Sequence, residues 1–213
     1  MRDYKKELEK RVAWIQALLA ESGAKGIVYG NSGGKDSALA VARAFDIPVT
    51  QVDLTAARDA LLAALGEAEG VDAIANMAKA NINPRLRMAT VYAVAQTRGA
   101  LVCGTGNKDE AYMGYFTKWG DGAYDFNPIG DLTVTEIYEF LRYLGAPASI
   151  IEKAPSAGLF EGQTDEKEMG VTYVAIEKYM QTGEGTPEDV AKIQRAHAAT
   201  AHKRAPQKVY GRD

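Results

Sequence analysis

Between Gly30 and Ser37 the chain reads G-N-S-G-G-K-D-S, a glycine turn that carries two serines, a lysine and an aspartate ahead of a helical pattern. A P-loop needs G-x-x-x-x-G-K-[ST], but here Gly30 and Gly34 lie one step too close and Lys35 is followed by Asp36. The dinucleotide fingerprint G-x-G-x-x-G fails as well, because Gly30, Gly33 and Gly34 do not match its steps. What remains is S-G-G-x-D-S, from Ser32 through Gly33, Gly34, Lys35 and Asp36 to Ser37. Backbone amides of such a turn, opening a helix, form an anion site, the serine hydroxyls add donors, and an aspartate there suits a magnesium ion. That combination fits the holding of a pyrophosphate rather than the transfer of a terminal phosphate.

Such a turn works only between a strand and a helix. "KGIVYG" reads as a short buried strand before it and Asp36 to Phe45 as a helix after it, the order of a nucleotide-binding α/β unit. Upstream, Leu8, Val12, Ile15 and Leu19 recur at helical spacing, the pattern of an amphipathic helix from Tyr4 to Leu19 packed on something larger. Downstream, "IPVTQVDL" reads as a strand and "TAARDALLAALGEAEG" as a helix. "NPRLRMATVYAVAQTRG" reads as a helix with Asn83 as N-cap, Pro84 in first position and Gly99 at the end. "ALVCG" is a further strand, and helices are expected over Thr135 to Leu144, Glu166 to Met180 and Pro187 to His202.

The 213 residues, 46% hydrophobic and 25% charged, suit one globular domain. A net charge of −3 supplies no basic field for nucleic acid, so any polyanion site must be local. A single cysteine excludes a disulfide framework and fits a reducing, cytoplasmic setting. No apolar run approaches the ~18 residues of a membrane span. Cys103 sits in the apolar "ALVCG" run and reads as a small buried hydrophobe rather than a reactive nucleophile. His197 and His202, five apart and without a cysteine nearby, make a poor zinc pair.

The glycine turn resembles the loop of ATP pyrophosphatases, which cleave ATP between its α and β phosphates. Four further blocks narrow the resemblance: "NINPRLRM", "GTGNKDEAYMGYFTKWGDGAYDFNPIGDL", "PSAGLFEGQTDEKEMGVTY" and "HKR". In this order, from Lys25 to Arg204, they resemble the ammonia-dependent NAD synthetases. The resemblance implies a single synthetase domain over residues 1–213, without a glutaminase domain. Its fold would be a doubly wound, Rossmann-like α/β three-layer sandwich with a mostly parallel sheet. The implied reaction takes ATP and nicotinic acid adenine dinucleotide (deamido-NAD), adenylates the nicotinate carboxylate, and lets ammonia displace AMP to give NAD.

The same resemblance assigns residues. Ser32, Gly33, Gly34, Lys35, Ser37, Thr105 and Ser156 would hold ATP, and Asp36 and Glu110 would share magnesium on the departing pyrophosphate. Arg87, Lys118, Asp125, His202 and Lys203 would hold the dinucleotide. Asp36, Lys118 and Asp121 form the implied catalytic set, with Asp121 binding ammonium and taking its proton, since only neutral ammonia is a nucleophile. Arg85 and Arg87 are roughly 200° apart on a helix of ~3.6 residues per turn and cannot share one pocket; the resemblance favours Arg87. Asp165 and Glu166 read as a helix-start carboxylate pair. The implied partners are a second copy of the chain, in a homodimer that the N-terminal helix could join, and a separate protein that supplies ammonia.

Two departures stand against the family pattern. Phe45 runs almost directly into Ile47, where roughly thirty residues with another strand and helix are ordinary. Losing a central strand would leave buried backbone groups unpaired, which favours a stretch missing from this sequence over a true deletion. Where the family carries a lysine on the nucleotide phosphates this chain has Val134, and Lys35 is the replacement charge within reach. A pyrophosphatase for another acceptor and a catalytically degenerate nucleotide-binding homologue are the competing readings.

Overall fold

The computed structural model describes residues 2–30, 48–68, 70, 71, 73–151 and 164–211. The glycine turn from Ser32 to Ser37, the helix expected after it, the junction at Phe45 to Ile47, and Ser156 lie outside these residues.

Helix α1 (Tyr4–Ser22) starts where the Asp3 side chain accepts from Lys6 N and stops at Gly23, whose φ of 68° lies in the left-handed region. The apolar stripe expected to be buried is not: none of its residues is buried and Val12 is 44% exposed. Charge docks the helix instead. Arg2 Nε donates to Glu136 Oε1 at 2.7 Å, Arg11 donates to both oxygens of Asp131, and Tyr4 OH donates to Glu139 Oε2 at 2.6 Å. Trp14 adds an edge contact on Phe126.

Strands β1 (Ile27–Val28) and β2 (Leu101–Val102) pair in parallel, with Ile27 opposite Leu101 and Val28 opposite Val102. Between them in sequence come helices α2 (Thr55–Glu67) and α3 (Asn76–Arg98), and α3 lies against both strands. This is the parallel α/β arrangement that the apolar runs foretell. Residues 48–54, read above as a strand, form none: Val49 and Val52 are 53% and 48% exposed, so no apolar face is buried to reward an extended pairing.

Helix α3 also departs from its reading. It starts at Asn76 rather than Asn83, so Pro84 sits inside it. The lost backbone bond is tolerated because Ala80, Ile82 and Pro84 are all buried, and Pro84 packs under Gly120. Gly99, at φ 61°, ends the helix as expected.

The C-terminal half is helical: α4 (Lys108–Met113), α5 (Val134–Tyr143), α6 (Ala148–Ile151), α7 (Asp165–Met169), α8 (Tyr173–Thr182), α9 (Pro187–Ala199) and α10 (Ala201–Arg204). Met113, Val134, Val171, Tyr173, Ile176 and Ile193 form its core. The single helix expected from Glu166 to Met180 is two, because Gly170 turns left-handed at φ 67° and Thr172 caps a new start. The helix expected to reach His202 likewise breaks at Thr200.

The start of α5 is tied to its neighbours with unusual completeness. Thr133 N donates to Glu136, Val134 N to Asp109, Thr135 N to Glu177, and Glu136 N to Thr133 Oγ1, so four amides that a helix start leaves without partners all find side-chain acceptors. Asp109 is fully buried, and its pKa is pushed up to about 7, first by burial and further by Glu177. Between the ordinary aspartate pKa and 7 the folded protein keeps a proton that the unfolded chain has lost, so this group makes stability fall as pH rises through that window. Asp109→Asn is therefore expected to leave stability unchanged near pH 4. At pH 8 it should raise it by up to about 4 kcal/mol, the whole of what the wild type loses as pH rises from 4 through 7. Urea unfolding at the two pH values measures this; equal effects at both would contradict it.

Candidate active site

At the carboxyl ends of β1 and β2, where parallel sheets place their ligands, lies a cavity of about 1550 Å³. Tyr29, Gly30, Gly104 and Thr105 form its strand edge, and Arg87, Glu110, Asp121 and Lys203 bring charge to its walls. Of the neighbouring pair Arg85 and Arg87 on α3, Arg87 lines the cavity and Arg85 does not; Arg98, at the end of the helix, lines it as well.

Glu110 is placed by a capping box. Asn107 accepts from Glu110 N at 2.9 Å, and Glu110 Oε2 accepts from Asn107 N at 2.8 Å, which leaves the other carboxyl oxygen for the cavity. Burial pushes its pKa up to about 7, and the carboxylates of Asp165, Asp121 and Asp109 push in the same direction. A carboxyl crowded by like charges is where a hard cation would be best accommodated, and the donors are all oxygen, as magnesium requires. Among the described residues no group of three or more metal-ligating side chains is assembled; the expected second ligand, Asp36, lies outside them.

Asp121 closes a turn, with Oδ1 accepting from Thr117 N at 3.0 Å. Trp119, inside that turn, has φ 61°, a strained conformation for a bulky residue. Thr117 Oγ1 donates to Asn81 Oδ1 at 2.6 Å and ties the turn to α3. Across the cavity, Lys203 Nζ donates to the carbonyls of Gly114 and Phe116 at 2.8 and 2.7 Å and lies over the Phe116 ring. Burial lowers its pKa, while the charge of Asp121 raises it.

Three residues expected on the dinucleotide stand off the cavity wall. Lys118 Nζ donates to the His202 carbonyl at 2.6 Å and rests over the Trp119 ring. His202 is exposed, with Nδ1 near the Ala199 carbonyl. Asp125 is engaged in the fold: Oδ2 accepts from Val102 N at 2.7 Å and Oδ1 from Tyr92 OH at 3.3 Å. Val134 turns its side chain into the core, so the position where the family carries a lysine presents no group to the cavity. Residues the sequence reading missed include Asn107, Thr117 and Tyr124; the N-x-x-E spacing was the available signal for the first. Asp165, read as a helix-start carboxylate, does open α7, and it is also buried and accepts from Tyr173 OH at 2.9 Å.

Cys103 also borders the cavity, yet burial pushes its thiol up to about 11. Cys103→Ala should keep turnover within about twofold, and the thiol should resist alkylation at pH 8. A loss of turnover beyond tenfold would give the sulfur a part in the chemistry.

A parallel α/β sheet with a charged cavity at its strand ends defines a nucleotide-binding α/β protein. The family model described as NAD synthase matches residues 38–210, and the chain belongs to that family. The NH(3)-dependent NAD(+) synthetase of Carboxydothermus hydrogenoformans is 41% identical over 233 residues, covering 95% of this chain and 96% of that protein. That alignment has 233 positions against the 213 residues here, so the relative carries at least the difference, 20 residues, without a counterpart in this chain. Among solved structures, an NMN synthetase from Francisella tularensis superposes with a TM-score of 0.93 at 31% identity, covering 99% of this chain and 100% of that one. The NH3-dependent NAD synthetase of Campylobacter jejuni, in complex with the nitrate ion, superposes with 0.71 at 25% identity, covering 98% and 99%. No helix among the described residues is long and apolar enough to cross a membrane.

Proposed function

We infer that this chain converts deamido-NAD, ATP and ammonia into NAD, AMP and pyrophosphate, as a C–N bond-forming ligase. Membership of the NAD synthase family carries the reading. In it, the nicotinate carboxylate attacks the α-phosphorus of ATP and pyrophosphate leaves; ammonia then attacks the acyl carbon and AMP leaves.

The glycine turn (Ser32, Gly33, Gly34, Lys35, Ser37), Thr105 and Ser156 hold ATP in this reading. Asp36 and Glu110 would hold magnesium, whose chemistry there would be to offset charge on the departing pyrophosphate. Arg87 and Lys203 meet the anionic acceptor from the cavity walls. Asp121 receives the proton of ammonium, with one carboxyl oxygen fixed by Thr117 N and the other left to act. Lys118, His202 and Asp125 lie off the cavity of one chain, and the first two bear on the acceptor if a second copy completes the site. A homodimer in the cytoplasm, fed by free ammonia or by a separate ammonia-releasing protein, is part of this reading.

One observation favours a second acceptor. The Francisella protein, which superposes end to end, is an NMN synthetase, and its likeness in shape exceeds that of the Campylobacter NAD synthetase. The same chemistry on nicotinate mononucleotide needs only the pyridine end of the site. The decisive experiment incubates the protein with Mg-ATP and ammonium plus either acceptor, and follows the amide product, AMP and pyrophosphate. Faster turnover of the dinucleotide supports the first reading, and faster turnover of the mononucleotide the second. No amide from either acceptor at any ammonium concentration ends both.

A further inference from the structure

Tyr124, one of the exposed aromatics on the cavity wall, is seated on backbone. A Cβ placed on Gly104 would lie 2.5 Å from Tyr124 Cδ1 and 2.6 Å from Cγ, so the ring rests directly against the Gly104 backbone at the carboxyl end of β2. Only a residue without a side chain permits that approach. The segment behind the ring is fixed to the strand. Gly104 N donates to Phe126 O, Asp125 N to Val102 O, Val102 N to the Asp125 carboxylate, and Cys103 and Phe126 form a parallel bridge. Tyr124 also borders the cavity, and the residue is 43% exposed. Trp119, at 50% exposure, does not border it.

An aromatic ring seated on backbone and exposed at the wall of a nucleotide-sized cavity can stack a planar ring at low cost in side-chain entropy. We propose that the Tyr124 ring, seated on Gly104, is a stacking wall for a planar heteroaromatic ring of a bound nucleotide, and so helps determine which nucleotide this site accepts. The proposal rests on the nucleotide-ligase reading for the identity of the ligands, but the stacking itself is tested by binding alone.

Calorimetric titration of ATP, nicotinate mononucleotide and deamido-NAD into wild type, Tyr124→Phe and Tyr124→Leu provides the test. Leucine fills the volume without a π-face, so it should weaken one ring-bearing ligand by about tenfold, while phenylalanine stays within about twofold. Weakening of ATP alone assigns the wall to the ATP adenine. Equal weakening of both acceptors assigns it to the pyridine ring, and weakening of deamido-NAD alone to its adenine. Unchanged binding of all three to a folded Tyr124→Leu overturns the proposal. If that variant does not fold, Gly104→Ala decides: its Cβ displaces the ring, and unchanged binding again overturns the proposal. Wild-type amide formation separates the two layers. A wild type that makes no amide while Tyr124→Leu loses ligand affinity defeats the ligase reading and keeps the wall; the opposite pattern defeats the wall alone.

Discussion

Glu110→Gln should lower kcat by about a hundredfold or more, the scale on which one preorganised electrostatic group acts, and should at the same time raise the melting temperature at pH 8. Glutamine keeps the shape of the capping box, since its carbonyl can still accept from Asn107 N, so α4 stays in place. What it removes is the negative charge on the cavity wall that would hold magnesium against the leaving pyrophosphate. The stability effect has a definite sign. Burial and neighbouring carboxylates raise the folded pKa from 4.5 to about 7. Between those values the folded protein holds a proton that the unfolded chain has released, so stability falls as pH rises to 7, and the whole penalty stands above it. The variant escapes the penalty and should match wild type near pH 4.5. Steady-state AMP release at saturating ATP, together with melting scans at pH 4.5 and 8, checks both halves. Activity lost together with stability at pH 8 would mean that the carboxylate serves the fold. Full activity would remove Glu110 from the chemistry altogether.

How far such a site can be read in advance depends on whether its geometry is local. The capping boxes at Asn107 and Glu110 and at Thr133 and Glu136 span three residues each, and their spacing is visible in the sequence. The two paired strands are short apolar runs bounded by glycine, and Gly99 marks a helix end that needs positive φ. Helical angle sets Arg87 and Arg85 on different faces, and the resemblance chooses Arg87 for the cavity. Several of the misreadings involve partners far along the chain. Pro84 looks like a helix start until Gly120, 36 positions later, is found to give it a seat. The charged docking of α1 depends on Asp131 and Glu136, which no periodicity within α1 could announce. Asp125, which the resemblance implies on the dinucleotide, also accepts from the amide of Val102, a contact that nothing in its local stretch announces. Glu177 looks like an ordinary surface acid of α8 until it accepts from the first turn of α5. In each case a through-space partner outweighed the local pattern, as tertiary context regularly does.

The largest stability loss from a single methyl is expected at Gly114→Ala. Gly114 closes α4 at φ 67°, a conformation that costs a residue with a Cβ roughly 1 kcal/mol. The new Cβ would stand 2.2 Å from both Cβ and Oγ1 of Thr200, far inside contact distance, and forced overpacking adds roughly 1–3 kcal/mol. Thr200 has little freedom to yield, because its hydroxyl lies between the carbonyls of Met113 and Ala196 and it joins α9 to α10. Displacing it carries α10 away, and with it the Lys203 ammonium from the Gly114 and Phe116 carbonyls and the Arg204 guanidinium from the Tyr112 carbonyl. Those contacts hold the strand of chain leading into the Asp121 turn, so the loss of about 3 kcal/mol in urea unfolding should come with a fall in kcat/KM. Combining Gly114→Ala with Thr200→Gly separates the causes, since the double variant removes the clash and retains the left-handed penalty. Recovery of most of the steric part, as a favourable coupling between the two substitutions, is expected. Strictly additive losses would show that α10 is docked independently of this contact and that Lys203 reaches the cavity without it.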